Sequence, residues 1–185
     1  MSFKVHTIES APAGSKKHLE KAKENFGFLP NIMGVFAESP QALQAYLKLD
    51  ELMNETSFTP VETQVVLMTI SSENDCEYCM AAHSTAAKGT DMNDDVLEAL
   101  RNKQPLPDKK LEVLRQYTLG IMRNGGHPEE DTIDKFLEVG YAQQQALEIV
   151  LATAMKTLSN YTNHLASTPL DEEFAGNAWE AKKAA

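Results

Sequence analysis

Thr59-Pro60-Val61-Glu62 leads into Thr63-Gln64-Val65-Val66-Leu67-Met68-Thr69-Ile70, and the reading of this stretch decides the fold. Thr59 stands where a helix N-cap belongs, and Pro60 takes the first helical position, where its missing N–H costs nothing. Glu62, at the third position, can reach back to the cap, which completes a capping box. The residues that follow are apolar on most sides, so this helix is expected to be central. Working outward, the period stays helical. Upstream, helices are predicted over residues 15–26, 31–38 and 40–55. Downstream, a polar interruption at 71–75 precedes helices at 76–88, 93–103, 108–123, 128–139 and 143–166. In the last of these Ala146, Ile149, Val150, Ala154 and Leu158 form the expected buried stripe. The nine glycines and eight prolines fall mostly between these segments, as short connections require. No alternating strand pattern of useful length occurs. The expectation is an all-α bundle, one domain over residues 1–185, with a short polar tail from about residue 171.

Charge narrows the function. Lys plus Arg is 17 against 27 Asp plus Glu, a net −10. Such a surface repels phosphate backbones and anionic bilayers, so neither nucleic acid nor membrane is an expected partner. No apolar run approaches the ~20 residues that span a bilayer, and residues 1–10 lack the apolar core of a signal peptide. A cytoplasmic protein is expected. In that compartment a close cysteine pair points to redox or metal chemistry rather than to a structural disulfide.

The chain has two cysteines, three residues apart, in Cys76-Glu77-Tyr78-Cys79-Met80-Ala81-Ala82-His83. At about 100° per helical residue, Cys79 and His83 lie about 60° and 20° from Cys76, so all three share one face. Asn74 or Asp75 is placed to cap the turn. Unpaired N–H groups there favour a thiolate, and an imidazole one turn on can move a proton near neutral pH. One thiolate attacks an electrophile such as a peroxide, the sulfenic acid condenses with the second cysteine, and an external dithiol resets the pair. Two other readings use the same residues: a redox sensor without turnover, and a zinc site in which Cys76, Cys79 and His83 are ligands. No second CxxC or CxxH supplies further ligands.

At these residues the sequence resembles the AhpD-like alkylhydroperoxidase and carboxymuconolactone decarboxylase superfamily, in its peroxidase-related branch. The likeness runs through Phe26-Gly27-Phe28-Leu29-Pro30-Asn31, the CxxCxxxH segment, and Leu158-Ser159-Asn160-Tyr161-Thr162-Asn163-His164. It implies an AhpD-like helical fold, a homotrimer or homohexamer, no cofactor and no metal. It also implies a hydroperoxide substrate and an external dithiol or disulfide reductase as donor. By the family's motif, Cys79 is the attacking cysteine, Cys76 resolves it, and His83 belongs to the proton relay. Two positions depart. The family's relay Glu, twelve residues before the first cysteine, is Gln64 here. The family's His before the second cysteine is Tyr78. Gln cannot carry a proton at neutral pH and a phenol is a poor base, so both are expected in supporting roles. In the decarboxylase branch the cysteine pair is typically absent, so a cysteine-independent lactone decarboxylase is the remaining alternative.

Asn160 and His164 are neighbours at i, i+4, expected near the active helix or at a subunit contact. His6 and His18 are expected to be solvated, His127 to sit at a helix entry, and Trp179 to belong to a partly ordered tail.

Overall fold

The computed structural model describes residues 2–181. Its elements are α1 (Ala13–Phe26), α2 (Asn31–Phe36), α3 (Pro40–Met53), α4 (Pro60–Glu73), α5 (Glu77–Ala87), α6 (Asp94–Arg101), α7 (Lys109–Arg123), α8 (Glu130–Glu138) and α9 (Gln143–Ala166), with a 3-10 turn at Glu172–Asn177. No strand occurs among the described residues, and no described helix is long and apolar enough to cross a membrane.

The central helix begins as its cap requires. Thr59 Oγ1 accepts from the Glu62 amide at 3.2 Å, and Glu62 Oε2 accepts from the Thr59 amide at 2.9 Å. Glu62 is therefore occupied in fixing the helix start, with Tyr141 Oη and Lys110 Nζ on its other oxygen. Helix α4 then packs against α5, α6, α7 and α9. Val65, Val66, Met68 and Ile70 are wholly enclosed.

The expected break at 71–75 is shorter than the sequence implies. Ser71 and Ser72 lie inside α4 and are buried. Their hydroxyls donate to the carbonyls of Leu67 and Thr69, which satisfies them within the helix. The turn itself is Asn74–Asp75, with Asp75 in the left-handed region (φ 54°).

The buried face of α9 also differs. Ile149 is buried as expected, but Val150 and Ala154 face outward. The buried stripe is Ile149, Ala152, Met155, Lys156, Ser159, Asn160 and Asn163. Half of one face of the longest helix is thus polar and enclosed, and polar groups there need partners from other helices.

Both chain ends fold back. The N-terminal segment crosses α2 where His6 N donates to Gly34 O at 3.1 Å. A Cβ on Gly34 would stand 2.7 Å from the His6 carbonyl oxygen, so the crossing requires glycine. His6 is not solvated: it is buried, with Nε2 2.7 Å from a Glu38 carboxylate oxygen. At the other end the expected loose tail is docked on its own chain as far as residue 181. Trp179 is buried and its indole N–H donates to Arg101 O at 2.7 Å. The Arg101 guanidinium donates to the Asn177 and Ala178 carbonyls in return. Residues 182–185 of that expected tail lie outside the described residues.

Candidate active site

Cys76 is the N-cap of α5, and Cys79 lies in the helix's first turn. Neither Asn74 nor Asp75 caps the helix. Asn74 donates to Asn160 Oδ1 (3.0 Å), which ties the turn to α9, and Asp75 pairs with Lys103 (2.6 Å). Both cysteines are free and buried. Their sulfurs sit side by side beneath one amide: Asn163 Nδ2 donates to Cys79 Sγ at 3.3 Å and to Cys76 Sγ at 3.6 Å. Ser159 Oγ stands 3.9 Å from Cys79 Sγ.

The third member of the expected face reaches the cysteines through a residue the sequence reading passed over. Lys156, fully enclosed, places Nζ 2.8 Å from His83 Nε2 and lies against the Cys79 sulfur. An ammonium can only donate, so His83 Nε2 accepts and its Nδ1 carries the proton. That Nδ1–H faces Gln64 Oε1 at 3.0 Å. Gln64 therefore fixes the ring's tautomer, a task an amide can perform without carrying a proton.

The electrostatics make the two thiols unequal. The Cys76 thiol bonded to it, the Lys156 charge and the Ser159 hydroxyl hold the Cys79 thiol well below the ordinary range, against the opposing effect of burial. The shared bond and burial push Cys76 well above it. Burial, reinforced by the Lys156 charge, holds His83 well below the usual imidazole value, so it is neutral at pH 7. Burial raises the carboxyl of Asp50, which Lys156 partly offsets.

Tyr78 takes no part in this chain of groups. Its hydroxyl donates to an Asp171 carboxylate oxygen and accepts from the Ile32 amide at 3.4 Å. Its ring instead forms a wall. Cys79, His83 and Lys156 form the floor of a cavity of about 230 Å³ whose sides include Phe28, Ile32, Tyr78 and Phe174. Phe174 meets Phe28 and Tyr78 edge-on, with centroids 5.6 and 6.0 Å apart. The 3-10 turn read as tail thus closes one side of the site.

His83 cannot face the sulfurs as a metal ligand while both its nitrogens are engaged. No cluster of three or more His, Cys, Asp or Glu placed to hold a metal occurs among the described residues. Asn160 is buried beside the active turn, while His164 is exposed and stacks on Tyr161. His127 is exposed before α8, and His18 is half-buried on α1.

Residues 40–107 match the family model described as the carboxymuconolactone decarboxylase family. No curated protein sequence matches the chain. Solved structures share its fold. The alkylhydroperoxidase AhpD core of a peroxidase-related protein from Ralstonia eutropha JMP134 has a TM-score of 0.80 at 19% identity, over 93% of each chain. A peroxidase-related protein from Silicibacter sp. TM1040 has a TM-score of 0.78 at 20% identity, over 96% of this chain and 94% of that one. The apo debrominase Bmp8 has a TM-score of 0.70 at 18% identity, over 89% and 90%. At these identities the shared property is the fold, and it upholds the AhpD-like helical bundle expected from the sequence.

Proposed function

We propose that this chain, with an AhpD-like fold and a segment matching the carboxymuconolactone decarboxylase family, is a thiol-dependent peroxidase that cycles through Cys79 and Cys76. One observation carries the reading: the sulfur of Cys79 lies at the floor of an apolar cavity, against the buried Lys156 and beside a second cysteine. A buried ammonium beside a thiol favours the thiolate, which is the nucleophile.

The steps balance as follows. The Cys79 thiolate attacks the terminal oxygen of ROOH; an S–O bond forms and the O–O bond breaks. The departing alkoxide takes a proton from Lys156 and leaves as ROH. Neutral Lys156 then accepts the Cys76 proton, Cys76 attacks the sulfenic sulfur, and hydroxide leaves, reclaiming that proton as water. An external dithiol reduces the disulfide, and the returning Cys79 proton recharges Lys156. His83 and Gln64 are positioning residues: they hold the lysine nitrogen toward the sulfur. The donor is a dithiol or disulfide reductase of a reducing compartment, taken here as the cytoplasm.

The expected result for Cys76→Ser is one turnover and no more. Cys79 sulfenic acid then accumulates and is captured by dimedone, seen as a mass increment on the Cys79 peptide. Capture on neither cysteine, with turnover continuing, would remove the cysteines from the reaction.

The outer face of α9 supports an assembly of copies. Leu147, Val150, Ala154, Tyr161 and Leu165 form an exposed apolar seam. Leu147, Ala154 and Tyr161 repeat every seven residues, the spacing at which a helix packs against a copy of itself. We propose that this seam joins copies of the chain. Leu147→Glu with Leu165→Glu is expected to yield monomer in sedimentation equilibrium at concentrations where the unmodified chain is oligomeric. An unmodified chain that sediments as monomer refutes the seam.

A further inference from the structure

The two cysteines border different cavities. Cys79 lines the apolar one described above. Cys76 lines a second, of about 360 Å³, bounded by Asp75, Glu77, Asn163, His164 and Thr168. Tyr78 borders both, so this residue stands where the two meet. The second cavity is polar, and two residues that line it each carry a buried oxygen with no partner, Asn163 Oδ1 and Thr168 Oγ1. Asn163 is itself 95% buried, since 5% is exposed. Unpaired polar atoms at a cavity are expected where a polar ligand completes them.

Accepting the peroxidase reading, we infer that the reducing thiol attacks the Cys76–Cys79 disulfide at Cys76, through this polar cavity, while the hydroperoxide reaches Cys79 through the apolar one.

Two further points support the division. Attack at Cys76 makes Cys79 the leaving group, and the thiolate of lower pKa leaves faster. Lys156, Ser159 and Asn163 all face the sulfur that would leave. The second point concerns access. In the reduced pair Cys76 is fully enclosed, and Asn163, which lines the same cavity, donates to both sulfurs. Disulfide sulfurs are neutral and poor acceptors, so oxidation weakens what anchors the amide and frees it to move off Cys76. The rim of this cavity carries the Glu77 carboxylate and that of Asp75, the latter paired with Lys103, on a chain of net −10. Neutral or cationic thiols therefore enter in preference to anionic ones.

The balance is simple. The incoming thiolate forms a bond to Cys76 Sγ, the S–S bond breaks, and its electron pair leaves on Cys79. A second thiol then attacks the mixed disulfide and frees Cys76.

The test starts from disulfide formed with diamide, so it does not depend on hydroperoxide. The oxidised chain is mixed with cysteamine or glutathione and quenched with N-ethylmaleimide. Adducts are then located by fragment mass spectrometry. The expected result is cysteamine on Cys76 and maleimide on Cys79. At equal thiolate and low salt, cysteamine should react about fivefold or more faster than glutathione, with the gap closing as salt screens the rim. His164→Trp, an exposed position on the polar rim, should slow this reduction about tenfold, while Ala82→Trp in the apolar cavity should slow oxidation by cumene hydroperoxide instead. A thiol adduct on Cys79, or Ala82→Trp slowing the reduction as much as His164→Trp, overturns the inference. So does a pair that diamide cannot join. Reduction as expected, with no oxidation of the unmodified chain by cumene hydroperoxide, would leave attack at Cys76 standing and reject the peroxidase.

Discussion

Cys79→Ser is expected to reduce hydroperoxide consumption to the uncatalysed background while leaving the chain folded. The serine hydroxyl is about the size of the thiol it replaces, and Asn163 and Ser159 remain to hydrogen-bond it. What disappears is the nucleophile. Beside Lys156 the thiol ionises far below its ordinary value of ~8.5, whereas an alcohol does not ionise at neutral pH. The expected loss is about a thousandfold or more, the scale on which a covalent nucleophile is missed. Stopped-flow measurement with excess dithiothreitol reads it, and circular dichroism reports the fold. Unchanged consumption would instead favour chemistry independent of the cysteines, such as lactone decarboxylation.

Lys156→Met has the next largest effect, and it lowers stability as well as activity. At pH 7 an ordinary thiol is about 3% ionised, so loss of the lysine costs at most about thirtyfold in thiolate, the Cys76 and Ser159 bonds to Cys79 remaining. The proton for the departing alkoxide is lost with the lysine, which makes the expected loss about a hundredfold. The direction with pH follows from the sign of the shift. A depressed thiol is already ionised at neutrality, so the unmodified chain's rate is flat as pH rises through 7 to 9. In the variant the thiol pKa moves up, so the rate climbs with pH over the same range. Stability falls as well. Lys156 is wholly enclosed, and Lys156→Met leaves His83 Nε2 buried without its partner, which costs about 1–3 kcal/mol. Urea denaturation at pH 7 measures this term. A variant as active as the unmodified chain, with the same pH profile, would show that Lys156 is a structural lysine.

That residue also marks where sequence reading ended. The bundle was legible because its signals are local. The Thr59 capping box, the helix start at Pro40 and the 143–166 span of α9 all stand in the structure where the local signals put them. The candidate site was half legible. Cys76, Cys79 and His83 are close in sequence, and Gln64 could be placed by the family's spacing. Lys156, Ser159 and Asn163 lie 73 to 87 residues from the groups they touch. Hydropathy put Val150 and Ala154 inward, and so gave Lys156 no place in the site. One signal was available: Lys156, Ser159, Asn160 and Asn163 recur in phase with Ile149 and Ala152, a polar continuation of an apolar stripe. Such a stripe has meaning only once partners are known, because a buried polar group is stable only when paired. The docked C-terminal segment was missed for a related reason. Phe174 and Trp179 are isolated apolar residues in polar sequence, and what holds them is Arg101 and the wall of the α5 cavity, both remote along the chain.

The central claim is that Cys79 and Cys76 act as one two-electron unit on a hydroperoxide. Its most direct measurement is a titration of the reduced chain with cumene hydroperoxide under anaerobic conditions, counting free thiols and hydroperoxide consumed. The account predicts that both thiols of the chain disappear together for each hydroperoxide reduced, and that dithiothreitol restores both. Hydroperoxide consumed with both thiols intact, or thiols untouched by hydroperoxide at any ratio, would contradict it.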